Sequence, residues 1–198
     1  MSRINIFWDW FGTIADSLAA DPHDSSLLSE LDRRVLSLAP GLSWEIGPGL
    51  SKPWQLVISP DLNRDLRETA KSIVARAPSL DQWEFHPARQ PKEWEYKFEF
   101  TDETGAERLM VDATNWRFVL LRHQSGIREM LLLASELSAL SDVERWQAGA
   151  ILLEGILGED VFLDAVDEFE VVNELEPRFA AHARSIRDLR AAAIGKVG

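Results

Sequence analysis

The chain contains no cysteine. Disulfides, a thiol nucleophile and thiolate metal sites are therefore excluded, and the composition fits a reducing compartment. Long apolar runs are also missing. No stretch reaches the roughly 18 residues that a membrane span requires. The N-terminus carries Arg3 but neither an apolar run nor a small-residue cleavage site, so no secretory signal is expected. Basic residues are scarce: 21 Lys and Arg stand against 33 Asp and Glu, a formal net charge of -12. That balance argues against nucleic-acid binding, which needs a basic face. It favours solubility and attraction to a basic partner. The four histidines, His23, His86, His123 and His182, form no pair at metal-ligand spacing. Gly-x-Ser-x-Gly and phosphate-binding loops are absent, and Gly47-Pro48-Gly49 reads as a turn. Neither metal nor cofactor is expected.

What is abundant is aromatic area. Eight Trp, nine Phe and one Tyr, at about 200 Å² each, can fill a core without metal or disulfide staples. A length of 198 residues suits one domain, 1-198.

Periodicity divides the chain into helices, then strands, then helices. Ile4, Phe7, Trp8, Phe11, Ile14, Ala15 and Leu18 recur at three- and four-residue steps, the mark of one helix face. Asp24 or Ser25 caps a second helix, with Leu27, Leu28, Leu31, Val35 and Leu38 on one side. Strands follow over Leu42 to Ile46 and Trp54 to Ser59. Pro60-Asp61 opens a third helix that Pro78 stops. Trp83 and Phe85 form a short strand. Trp94, Tyr96, Phe98 and Phe100 alternate with charged residues, and Leu109 to Val111 is the return strand. Trp116 to Leu121 is another strand. Ile127 to Ala134 reads as a strand or, by its apolar run, a helix. Asp142 caps a helix that ends near Gly158. Phe169 to Val172 is a last strand, and Phe179, Ala183, Ile186 and Leu189 line a final amphipathic helix after Pro177. This order predicts an α+β fold, a largely antiparallel meander packed by N-terminal, middle and C-terminal helices.

Two resemblances bear on function. The stretch Ile4-Asn5-Ile6-Phe7-Trp8-Asp9-Trp10-Phe11-Gly12-Thr13 resembles the first motif of haloacid dehalogenase-like hydrolases. That resemblance implies a strand ending in a nucleophilic aspartate, here Asp9. Ser59 would serve as the second motif, Lys71 as the third, and Asp160, in Gly158-Glu159-Asp160 with Asp164, as the acidic fourth. Phe11 stands where the phosphatases of that family carry their acid, and Phe cannot move a proton. The strand hairpins of residues 94 to 134 also depart from a doubly wound fold. As a helix, the same stretch puts Asp9 off the buried stripe, a solvated carboxylate. The chain is also similar to a group of bacterial proteins without an assigned activity. The similarity lies in the Phe7 to Phe11 aromatic helix, Ile58-Ser59, Ala77-Pro78, Trp83, Trp116 and Leu157-Gly158-Glu159. It implies a shared fold.

Glu154, Glu159, Asp160 and Asp164 cluster in sequence, as a divalent-cation site or a solvated helix end. Arg117 and Arg122, on a strand with Trp116 and Phe118 beside them, either bind an anion or pair with acidic neighbours. The expected role is a non-catalytic cytoplasmic protein-interaction domain with a basic partner. The alternative is a hydrolase that uses Asp9.

Overall fold

The computed structural model describes residues 2–195. Among these the fold is α+β, with seven α-helices and nine strands. Four of the six strand pairings are antiparallel. No described helix is long and apolar enough to cross a membrane. The sequence suggests one domain over residues 1-198; the chain divides into two compact units, Met1–Arg89 and Gln90–Gly198.

The first unit is organised by α1 (Arg3–Ala20), whose first turn is capped by Ser2 accepting from the Asn5 N–H. Phe7, Trp8, Phe11, Ala15 and Leu18 form its buried stripe, as the three- and four-residue spacing requires. Burial of the four large side chains contributes on the order of 10 kcal/mol. In α2 (Ser25–Leu38), the Asp24 carboxylate caps the helix by accepting from the N–H groups of Ser26 and Leu27. Strands β1 (Ser43–Pro48) and β2 (Trp54–Ser59) pair antiparallel, with Trp44 opposite Ile58. Strand β3 (Trp83–His86) lies parallel to β2, Leu56 opposite Phe85. The chain makes that return through α3 (Arg67–Val74), because parallel neighbours need a crossover.

Helix α3 begins later than Pro60-Asp61 suggests. Asp61 and Leu62 are left-handed, with φ of 55° and 60°, and the Asp61 N–H bonds to Ser59 Oγ at 2.9 Å. A 3-10 turn, Arg64–Leu66, then leads into the helix. The core between α1, α3 and β3 is aromatic. The Phe11 and Trp83 rings meet edge to face at 5.2 Å, and those of Trp8 and Phe85 at 4.7 Å. Both buried indoles satisfy their N–H: Trp8 donates to Ile73 O at 2.8 Å and Trp83 to Ala15 O at 3.1 Å. A buried indole without such a partner is costly.

The second unit holds a hairpin and a four-stranded sheet. In the hairpin, β4 (Lys97–Thr101) pairs with β5 (Arg108–Asp112), Phe98 opposite Val111. The expected strand from Trp94 is shorter at its start. Tyr96 adopts φ 60° and breaks the extended run, and Trp94 instead packs on α4 (Asp142–Leu157). A Cβ added to Gly155 would lie 2.3 Å from that indole, so only glycine fits there. The larger sheet has the order β8 (Glu168–Val172), β7 (Arg128–Leu133), β6 (Arg117–Arg122), β9 (Arg184–Ser185). Residues 128–133 are therefore strand. Strand β8 is parallel to β7, reached through α4 and α5 (Glu159–Ala165). Register places Phe118, Met130, Leu132 and Val171 on one buried face. Helix α4 covers that face where Gly149 abuts Phe169 and Val171.

Three local expectations are corrected here. Helix α4 is capped by Ser141, not Asp142: Ser141 Oγ accepts from the Glu144 N–H, and Glu144 accepts from the Ser141 N–H, a capping box. A second helix, α5, begins directly after Gly158, whose φ of 74° ends α4. The final amphipathic helix is broken into α6 (Pro177–Ala180), β9, a 3-10 turn Ile186–Asp188 and α7 (Leu189–Ile194). Pairing with β6 wins there, with Arg117 opposite Ser185 and the Ile186 N–H bonded to Trp116 O at 3.0 Å.

Candidate functional site

The four residues that the hydrolase resemblance singles out lie on four different elements. Asp9 is exposed in the middle of α1, a helix and not a strand end. Ser59 is fully buried at the end of β2, where its hydroxyl accepts the Asp61 N–H and turns the chain. Lys71 sits on α3 and pairs with Glu68 one turn back at 3.0 Å. Asp160 belongs to the second unit, in the first turn of α5. Beside it Glu159 is fully buried. Among the described residues no group of three or more His, Asp or Glu could hold a metal ion.

Sequence reasoning missed a carboxylate cluster in the first unit. Glu84, on β3, accepts from the Ser51 and Lys52 N–H groups at 2.9 and 3.1 Å, from the Leu50 N–H, and from Ser51 Oγ. His86 Nε2 stands 3.0 Å from its other side. Burial is the largest single influence on the Glu84 carboxyl and pushes it up. The bonds from Ser51, His86 and the Leu50 and Ser51 amides together outweigh it and hold the group at about 2. Ser, Glu and His are the residue types of a hydrolytic triad, but their order is wrong. A triad needs the imidazole between hydroxyl and carboxylate. Here the carboxylate is in the middle and accepts the hydrogen bond of the serine hydroxyl, while His86 meets only the carboxylate. The cluster is a latch on the loop between β1 and β2.

A second feature is open to solvent. On the face of the β8-β7-β6 sheet opposite α4, Leu121, Leu131 and Val172 form the floor of a groove of about 410 Å³. Leu175 and Phe179, from the segment after β8, form an apolar wall. Around it stand Glu129, Glu170, Glu174 and Glu176. Two bases are present and already engaged: His123 Nε2 contacts Glu129 at 2.7 Å, and Arg178 pairs with Glu176 at 2.8 Å. Four carboxylates against one arginine leave the groove electronegative. Register explains the assembly, because Leu121 lies opposite Glu129 and Leu131 opposite Glu170. Glu129 and Glu170 each neighbour a buried residue on their own strands, and Glu174 and Glu176 follow β8 on either side of Leu175, so each reads in isolation as a solvated face. The alternation Glu168-Phe169-Glu170-Val171 was the one available signal. Chemically the arrangement offers apolar contact for an aliphatic stem and carboxylates for a cationic head, the two needs of Lys and Arg.

Comparison of the chain with known protein families, with curated proteins and with solved structures finds no match.

Proposed function

We propose that the chain is a non-catalytic cytoplasmic protein-interaction domain that holds a basic segment of a partner in this groove. The observation that carries the reading is the apolar floor of Leu121, Leu131 and Val172 ringed by four glutamates. The net charge of -12 supports it, since a strongly acidic chain steers cationic partners. The same field repels nucleic-acid phosphates.

Exposed ion pairs are worth about 0.2–1 kcal/mol each. Several in one groove, with burial of lysine stems, suit a micromolar interaction that weakens with salt. The test is titration of a Lys-rich peptide into the protein at low and at physiological salt. The triple variant Glu129→Gln, Glu174→Gln and Glu176→Gln is expected to lower affinity about tenfold or more while circular dichroism is unchanged. Equal binding by the wild type and the triple variant would sink the proposal. Asp9→Asn is expected to change neither binding nor fold. If a small phosphoester is turned over by the wild type and not by that variant, the hydrolase alternative replaces this reading.

A further inference from the structure

The groove continues to an open sheet edge. Strand β8 is the outermost strand of its sheet. On the far side of the same sheet, the β6 edge is covered by β9; no described strand covers β8. Val172 O accepts from the Ala134 N–H on the β7 side, at 2.9 Å. Period-two alternation then turns the main-chain N–H and C=O groups of Phe169 and Val171 away from β7, toward the open edge. A hollow of about 220 Å³ lies along that edge, between β8 and the first turns of α4. Trp146 lines it, 52% exposed, with its indole stacked on Phe169 at 5.5 Å. Glu170 borders both this hollow and the groove.

We propose that β8 accepts a partner strand by edge addition, and that the occupant is an extended segment with Lys or Arg at alternate positions. This inference rests on the proposed groove-binding role and specifies its geometry. An added strand continues the alternation of β8. One set of its side chains would point toward the groove face, where Glu168 and Glu170 project from β8 beside Glu129, and these take the cations. The other set falls against Trp146 and Phe169, which suits apolar or aromatic residues.

Charge selects this occupant over a second copy of the chain. Exposed edges are normally guarded by charged side chains, above all lysine, or by proline or bulges. Strand β8 has no lysine, proline or bulge within Glu168–Val172, and its charges, Glu168 and Glu170, are both acidic. Pairing β8 with its own copy would bring glutamates together, a destabilising arrangement across a ladder. A basic strand converts the same residues into cross-strand ion pairs.

The experiment uses the full chain and a fluorescent short peptide alternating Lys and Val. Two further versions carry backbone N-methyl groups on alternate residues, one for each register. N-methylation removes ladder hydrogen bonds and leaves charge intact. Binding of the unmodified peptide is expected to be about tenfold or more tighter than that of at least one methylated version. The bound peptide, labelled with carbon-13 carbonyls, is expected to show a β-sheet amide band. If all three peptides bind equally and the Glu129, Glu174 and Glu176 substitutions still abolish binding, strand addition is overturned and the groove role survives. If none binds, both fall. If the chain alone sediments as a dimer that the peptide does not dissociate, the edge belongs to a second copy and this proposal is overturned.

Discussion

The two units solve the same burial problem differently. In the first, aromatic rings from α1 and β3 interlock, and the indoles of Trp8 and Trp83 both end on backbone carbonyls. Its loop between β1 and β2 is tied down by Glu84. In the second, Trp146 stands half in solvent, β8 lacks an outer neighbour among the described strands, and one sheet face forms an apolar floor with four glutamates around it. A single chain thus pairs a closed aromatic core with an incompletely covered sheet. Large exposed aromatic and open-edge features are the ones that need an explanation beyond folding.

The contrast is broken most directly at Phe11. Its ring is fully buried and meets both Trp83 and Phe85. Phe11→Ala is expected to cost about 3–5 kcal/mol, by loss of transfer energy and by a residual cavity. Urea unfolding followed by circular dichroism measures it. A loss under about 1 kcal/mol would mean that the site collapses easily and that the first core is not interlocked.

Those two cores were unequally legible. Helix α1 could be read because Phe7, Trp8, Phe11, Ala15 and Leu18 repeat with the helix period, and local period is all that a sequence displays. The α+β class followed from the same patterning. What period cannot show is pairing. The parallel placement of β3 beside β2, and of β8 beside β7, depends on partners far along the chain. The break of the last helix was hidden for the same reason: residues 184–185 satisfy the helix pattern, yet pairing with β6 is stronger. Tyr96 gave no warning either, since a left-handed tyrosine contradicts its own propensity. The groove was illegible because its acids come from two strands and a following segment, each with an ordinary alternation.

A second test probes the latch of the first unit. The Glu84 side chain is 11% exposed, and its carboxyl is held at about 2, below the ordinary 4.5. A depressed folded-state value means that the ionised form is favoured by folding. Its contribution is complete above the unfolded value, near pH 4.5, and is lost as pH falls toward 2. Glu84→Gln is therefore expected to lose about 1–3 kcal/mol at pH 7. It should also flatten the fall in stability between pH 4.5 and pH 2. Thermal melts of both proteins across that range measure the difference. Parallel curves for wild type and variant would show that the latch does not titrate in that window.

The smallest expected effect on stability sharpens the comparison most. Trp146→Ala removes a half-exposed indole that stacks on Phe169. Its loss is expected to cost under about 1 kcal/mol, against the much larger cost at Phe11. Binding of the alternating Lys-Val peptide is expected to weaken about fivefold to tenfold, because the indole forms one wall along the open β8 edge. Anisotropy titration and a thermal melt on the same sample separate the two quantities. A stability loss as large as that of Phe11→Ala would make Trp146 a core residue that happens to show a face to water. The second unit would then be as closed as the first, and the case for an open binding edge would lose its aromatic half.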